Sequence, residues 1–332
     1  MYGNIFILGG GCWGGTVGEV LSEKASVTVW EWDRKKYRYL KKYRHPPFFP
    51  YARLKNVRIT DELKISPGTG LVVVAISSQS VRATLRKIAG DIKRFKIPVL
   101  VLSKGIEIST LKSMDVVCSE ELGANFPVAV LSGPSHAEEL SRRLPTSVVI
   151  ASRNIRLAEK LQRLFKRSFL RPYVHTDIRG VALGGAVKNV MAIAAGLSDG
   201  LGLGANAKSA LVTRGLVEMT RIGVSLGGRP ATFCGLSGLG DLMVTCFSKY
   251  SRNRNLGEAI GRGLNLAEAK KKVKTTAEGA ETVKALRQLT ASNKISAPIT
   301  DEVYAVLYKG RSPAKAVKNL MLRPVRKEDE KL

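Results

Sequence analysis

Ile5-Phe6-Ile7-Leu8-Gly9-Gly10-Gly11-Cys12-Trp13-Gly14 is a short apolar run that breaks into glycines. A stretch with helical spacing, Gly14 to Glu23, follows at once. Glycines 9, 11 and 14 make a GxGxxG, and its place between a first strand and a helix gives the pattern its meaning. The first glycine allows a tight turn, the second lets the backbone approach a pyrophosphate, and the third lets the helix pack hard on the strand. The helix N-terminus then offers N–H groups and partial positive charge to phosphates. Taken alone, the motif also suits an α/β domain whose glycines serve packing only. The next apolar run, Val27 to Trp32, strengthens the dinucleotide reading, because Glu31 and Asp33 fall about where an acid meets a ribose hydroxyl.

The cofactor so implied is NADP or NAD. Glu31 or Asp33 would bond a 2′-hydroxyl and repel a 2′-phosphate, whereas Arg34, Lys35 and Lys36 would hold that phosphate. The two signals compete.

Outward from this loop, short β-rich runs alternate with helical stretches. The expected strands are Ile5–Leu8, Val27–Trp32, Leu71–Ile76, Val99–Leu102, Val128–Leu131 and Ser147–Ala151, with clear helices at Gly14–Glu23, Ser80–Phe95 and Ile155–Arg167. That is the pattern of a parallel sheet covered by helices. From about Ile178 the period changes to Ala-, Leu- and Gly-rich helical spacing. Long hidden helices are expected at Val181–Ser198 and Asn206–Leu226, and shorter amphipathic ones at Leu256–Arg262, Leu266–Val273, Ala280–Ser292, Thr300–Tyr308 and Ala314–Leu322. Pro298 and Pro313 stand where helices begin, and the charged tail after Arg323 reads as mobile. The fold class is therefore α/β: an N-terminal Rossmann-like doubly wound sheet over 1–179 and an all-α C-terminal substrate domain over 180–332.

A chain of 332 residues, 44% of them hydrophobic, can bury a sizeable core. Its start carries no basic segment, long apolar run or cleavage site of a secretion signal, and the apolar stretch 181–196 is broken by Lys188 and Asn189. A cytoplasmic protein without membrane insertion is expected. Cys12, Cys118, Cys234 and Cys246 are scattered, and His45, His136 and His175 show no ligand spacing, so neither a disulfide framework nor a bound metal is indicated. The formal net charge of +27 would draw anions. Its lysines and arginines spread along the whole chain without an aromatic-interleaved module, which favours a basic solvated surface over a nucleic-acid site.

Reducing a ketone puts charge on the carbonyl oxygen, so the site needs a donor such as a poorly solvated lysine. Lys188 lies among small and apolar residues in Val181-Ala182-Leu183-Gly184-Gly185-Ala186-Val187-Lys188-Asn189-Val190-Met191-Ala192. A lysine whose stem packs while its head reaches water fits that segment equally well. Lys104 follows the Val99–Leu102 run, where open parallel sheets bind ligands; it reads as an anchor or as a solvated loop charge. Ser132-Gly133-Pro134-Ser135-His136-Ala137 closes another strand with residues small enough for close backbone approach. Gly235-Leu236-Ser237-Gly238-Leu239-Gly240-Asp241 offers one carboxylate after spaced glycines, suited to a substrate hydroxyl or an ammonium, or to a capped turn. Ser251-Arg252-Asn253-Arg254-Asn255 gathers the donors that a phosphate monoester needs, although by itself an exposed polar loop is the better reading.

Together these segments resemble the NAD(P)-dependent glycerol-3-phosphate dehydrogenases of bacterial type. The resemblance runs almost end to end, through GGGCWG at Gly9, SKG at Ser103, LSGPSHAEE at Leu131, LGGAVKNVMAIAAGLSDG at Leu183, NAKSALVTRGL at Asn206, GLSGLGDLMVTC at Gly235, YSRNRNLG at Tyr250 and AEG at Ala277. It implies interconversion of dihydroxyacetone phosphate and sn-glycerol 3-phosphate, feeding phospholipid synthesis, with a small phosphorylated substrate and a homodimer left open. By the same resemblance Lys188 is the proton donor and acceptor, and Lys104 touches cofactor and substrate. Gly133, Ser135, Asp241, Ser251, Arg252 and Asn253 surround the substrate. Gly9, Gly11, Cys12, Trp13, Gly14, Trp32, Ala137, Arg252 and Glu278 lie along the dinucleotide.

This chain departs from the family where Cys12 replaces the usual serine, Gly15 a threonine, Trp32 a histidine or arginine, and Thr275-Thr276 valines. All lie on the cofactor side and bear on cofactor preference. Two alternatives stay open: a related hydroxyacid dehydrogenase of the same layout, and a basic Rossmann-like binding module without catalysis.

Overall fold

The computed structural model describes residues 3–167, 169–273, 277–325 and 327. Thr275, Thr276 and most of the tail after Arg323 lie outside them. The chain divides into two units, the first formed by residues up to Lys104 and by Met114–Ile178, the second by Gly105–Ser113 and the chain from Arg179. The expected division at 179/180 has no place for that exchange. Ile106 is fully buried in the helical unit's core, with Ile108 and Leu111 packed against it. A nine-residue segment inside a run of strands carries no local signal of such tertiary packing.

The first unit holds strands β1 (Asn4–Leu8), β2 (Ser26–Trp30), β3 (Val57–Thr60), β4 (Thr69–Val74), β5 (Val99–Val101), β6 (Val128–Ser132), β7 (Thr146–Ser152) and β8 (Leu170–His175). They form one sheet in the order β3-β2-β1-β4-β5-β6-β7-β8. All neighbours are parallel except β6 and β7, which run antiparallel. Central strands such as β5 and β6 are buried along their whole length, as strands covered on both faces must be. The edges differ: β3 alternates buried and exposed residues, and β8 carries Pro172, tolerated because an edge strand needs fewer ladder donors. Helices α1 (Cys12–Ser22), α2 (Arg34–Tyr43), α3 (Val81–Arg94), α4 (Met114–Leu122), α5 (Ala137–Leu140) and α6 (Ile155–Phe165) complete the unit.

Strand order reverses between β1 and β4, and that reversal makes a crevice at the strands' carboxyl ends. The glycine loop opens there: a Cβ on Gly9 would lie 2.5 Å from the Ala75 carbonyl oxygen just beyond β4. Lys104 and Gly133–Ala137 follow the carboxyl ends of β5 and β6 on the same edge.

The second unit comprises α7 (Ile178–Gly200), α8 (Gly204–Ser225), α9 (Pro230–Cys234), a π-helical turn at Leu236–Gly240, α10 (Asp241–Phe247), α11 (Arg252–Gly261), α12 (Leu266–Val273), α13 (Gly279–Ser292), α14 (Pro298–Tyr308) and α15 (Pro313–Met321). Helix α7 is long and apolar enough to cross a membrane, yet it is the buried centre of this unit. Glycines let its neighbours touch its backbone. A Cβ on Gly184 would meet the Ser237 carbonyl oxygen at 2.6 Å, and one on Gly196 would meet that of Arg254 at 1.9 Å. The π-helical turn and α11 are thereby held at fixed places beside α7.

Candidate active site

Lys188 lies midway along α7 and is only 6% exposed. Its Nζ donates to Asp241 Oδ1 and, at 2.8 Å, to Thr245 Oγ1. Asp241, fully buried at the start of α10, was legible as a single carboxylate after glycines. Thr245 was not. One helical turn after Asp241, it faces the same side and returns its hydroxyl proton to the Asp241 carbonyl at 2.5 Å. A buried charge is costly unless paired and hydrogen-bonded, and here both conditions are met. The Cys246 thiol beside this cluster is pushed up to about 12 by burial, against the pull of the Lys188 and Lys208 charges. It is held as a neutral thiol.

In the same unit Ser251 caps α11, its Oγ accepting from Arg254 N at 3.2 Å. Asn253 Oδ1 accepts from Gly279 N at 2.9 Å, which ties this turn to the start of α13, where Glu278 occupies the N-cap position. Arg252 is half-buried and has no hydrogen-bond or ion-pair partner among the described residues. A guanidinium left so has its donor fork available for an anion.

The first unit gathers a second group. Lys104 Nζ donates to the Gly133 carbonyl at 3.4 Å, and Ser135 Oγ to the same oxygen at 2.8 Å. Gly133 sits at φ +125° with Val148 Cα 3.2 Å from where a Cβ would stand, so glycine is required there. Ala137, buried, begins α5.

Beside β1, Gly9 holds φ +107°, and a Cβ on Gly14 would fall 2.1 Å from the Gly9 carbonyl oxygen. Above Gly11 there is open space, with nothing within 4 Å of a built Cβ, and no side chain caps the start of α1. Trp13 Nε1 is buried with no hydrogen-bond partner among the described residues. This loop fits a dinucleotide's pyrophosphate. Its wall contains two residues that the sequence did not reveal, Phe49 and Ala52, packed with Ala137 against Cys12 and Trp13. The only hint was an aromatic pair, Phe48-Phe49, in a proline-rich loop.

Both acids expected at the ribose have taken structural bonds. Glu31 is 5% exposed, and its carboxylate accepts from Gly10 N at 3.2 Å and Asp33 N at 3.1 Å. Burial holds this carboxyl above the ordinary range, against those bonds and the Lys36 charge. Asp33 caps α2, accepting from Lys35 N and Lys36 N. Strand β2 ends at Trp30, short of the expected Trp32, because Glu31 turns inward to the glycine loop. Trp32 stands 67% exposed. Among the described residues no three His, Cys, Asp or Glu side chains are grouped as metal ligands.

Comparison with known proteins covers both units. The model described as NAD-dependent glycerol-3-phosphate dehydrogenase N-terminus matches residues 4–158, and its C-terminus counterpart matches 177–318. Glycerol-3-phosphate dehydrogenase (NAD(P)+) of Chlorobium phaeobacteroides is 44% identical over 330 residues, covering 98% of each chain. That of a Thermoanaerobacter species is 42% identical over 327 residues, with the same coverage. The crystal structure of glycerol-3-phosphate dehydrogenase from Coxiella burnetii aligns with a TM-score of 0.92 at 33% identity, over 96% of this chain and 99% of that one.

Proposed function

The chain belongs to the NAD-dependent glycerol-3-phosphate dehydrogenase family, and from that premise we propose that Lys188 is the residue that moves the proton in its reaction. The enzyme interconverts dihydroxyacetone phosphate and sn-glycerol 3-phosphate with NAD(P). The hydroxyacid and non-catalytic alternatives accordingly fall away. When bound, the nicotinamide supplies hydride to C2 of the ketone or accepts it from C2 of the alcohol. Lys188 delivers a proton to the carbonyl oxygen in reduction and withdraws it in oxidation. Asp241 and Thr245 keep its ammonium in one place in a water-poor setting, so little reorganisation is needed as charge develops on the substrate oxygen.

Ser251, Arg252 and Asn253 hold the substrate phosphate, and the Arg252 guanidinium, which has no partner among the described residues, supports that role. Lys104, Gly133 and Ser135 are assigned to substrate binding, and Lys104 to the cofactor as well. Gly9, Gly11, Cys12, Trp13 and Gly14 cradle the pyrophosphate, while Trp32, Ala137, Arg252 and Glu278 line the rest of the dinucleotide. The product, a glycerol phosphate with two free hydroxyls, suits acyl transfer towards phospholipids. The four cysteines, none of them in a disulfide among the described residues, suit a reducing cytoplasm, the burial of α7 supports a protein that does not insert into membranes, and a homodimer is compatible with this fold.

The observation that carries this reading is the buried Lys188 ammonium bonded to Asp241 and Thr245. Lys188→Ala is expected to lower turnover by about a hundredfold or more, the usual worth of general acid catalysis. The dissociation constant for NADH, followed by nicotinamide fluorescence, should stay within about twofold, since Lys188 is assigned to the proton and not to the dinucleotide. A variant that turns over at the parent rate removes Lys188 from the chemistry.

A further inference from the structure

A second charge cluster in the helical unit is not used by this mechanism. Asp199, near the end of α7, accepts from Arg254 Nε at 2.6 Å and from Lys208 Nζ at 2.8 Å through the same oxygen, Oδ2. All three side chains are largely buried, at 19% exposed for Asp199, 16% for Arg254 and 11% for Lys208. Arg254 also reaches Glu258 at 3.1 Å, which in turn pairs with Arg262. Lys208 Nζ lies 4.6 Å from the centre of the Phe247 ring at the end of α10. The Asp199 carboxylate therefore links α7, α8 and α11, and Lys208 extends the link to α10; these helices include those that carry Lys188, Asp241 and the 251–253 turn.

We infer that Asp199 is a positioning residue for the substrate's phosphate group, an inference that rests on the reading of Ser251, Arg252 and Asn253 as the phosphate site. The turn 251–254 carries two guanidiniums two residues apart. Arg254 is bound to Asp199 and Glu258, whereas Arg252 has no hydrogen-bond or ion-pair partner among the described residues. That division of labour depends on Asp199. With its oxygen in place, Arg254 is a tether that fixes the start of α11 against α7, where the Gly196 contact already brings the two backbones together. Without it, the partly buried Lys208 loses its carboxylate and Arg254 keeps only Glu258, so Arg254 is looser and can reach for the dianion or draw the turn out of place. Positioning losses of this kind act on substrate capture. Asp199 stands eleven residues beyond Lys188 on one helix, about 16 Å along its axis at 1.5 Å per residue, too far to meet the reacting carbonyl. Its effect is on binding and not on proton transfer.

The test compares Asp199→Asn with Arg252→Ala in steady-state kinetics on dihydroxyacetone phosphate, with inorganic phosphate as a competitive inhibitor and NADH affinity measured separately by fluorescence. For Asp199→Asn the Michaelis constant should rise about tenfold or more, inhibition by inorganic phosphate should weaken in parallel, and kcat and the NADH dissociation constant should stay within about threefold. Asp199→Glu, which keeps the charge, should recover part of the loss. An unchanged Michaelis constant in a folded Asp199→Asn enzyme overturns the inference. So does a fall in kcat or NADH affinity as large as the change in Michaelis constant, because a merely structural role predicts that general damage. If Arg252→Ala itself leaves the Michaelis constant and phosphate inhibition unaltered, the phosphate reading has failed and Asp199 falls with it. If Arg252→Ala behaves as expected and Asp199→Asn does not, only the role of Asp199 is lost. Should Asp199→Asn not fold, Arg254→Lys keeps the charge but loses the Nε donor, and the same rise in Michaelis constant is required of it.

Discussion

Gly14 has little room of its own. A Cβ there would stand 2.1 Å from the Gly9 carbonyl oxygen, in backbone that no side-chain rotation can move. Gly14→Ala must push the glycine loop away from α1, and a shift on the order of 1 Å at a binding loop costs about a hundredfold in the worst case. A loss of about tenfold or more in affinity for both NADH and NADPH is expected; equal affinities for parent and variant by fluorescence titration would show that the loop does not cradle the pyrophosphate. Such a residue is legible in sequence because the motif encodes backbone geometry. Lys188 was legible for another reason, as a charge among small apolar neighbours, and its two partners show why it can stay there. Thr245, Phe49 and Ala52 were not legible, since each acquires its place only through packing of segments distant in sequence. Glu31 was half legible: its acid stands at the anticipated position, but its carboxylate holds Gly10 and Asp33 amides.

Helix α2 shows what a periodicity reading passes over. Of its ten residues only Leu40 is buried, so there is no apolar stripe, and the run Arg34-Lys35-Lys36 reads only as charge that would hold a 2′-phosphate. It forms because Asp33 caps its first turn and Lys41 and Lys42 suit its last. The edge strands β3 and β8 escaped for similar reasons of brevity and a proline, whereas the fully apolar central strands were plain. Helix α14 depends on a distant side chain: Glu218 of α8, 2% exposed, accepts from Ile299 N at 2.8 Å, Thr300 N at 2.9 Å and Thr300 Oγ1 at 2.7 Å. Glu218→Ala leaves those donors buried and unmet, at an expected cost of about 3 kcal/mol in thermal or urea unfolding. Burial raises the Glu218 carboxyl above its ordinary value despite these bonds. The native state therefore binds the proton more tightly than the unfolded chain does. Stability from this group is fully present below the ordinary glutamate range and is lost as pH rises through the raised value. Relative to Glu218→Gln, which does not titrate, the parent protein should thus be more favoured at pH 4 than at pH 7. A difference independent of pH, or one of opposite sign, removes Glu218 as a titrating group.

At the scale of the whole molecule, the net charge of +27 has no counterpart in any one site. Lysines and arginines lie on both units, and the function shown by the chain's relatives is small-molecule chemistry. The field's physical consequence is attraction of a dianionic substrate before any contact is made. Raising ionic strength from about 0.01 M to about 0.1 M shortens the Debye length from about 30 Å to about 10 Å, which cuts off most of that long-range pull but would leave the proposed short-range pairing with Arg252 in force. The specificity constant for dihydroxyacetone phosphate should therefore fall several-fold over that interval, an effect of the size steering produces, while that for unphosphorylated dihydroxyacetone should barely move. Arg252→Ala separates the two contributions: it should lower the specificity constant at every salt concentration yet leave the slope nearly as steep, because one charge among many is lost from the field. A slope abolished by that single substitution would assign the salt dependence to the phosphate site, and the remaining positive charge would then have no part in substrate capture.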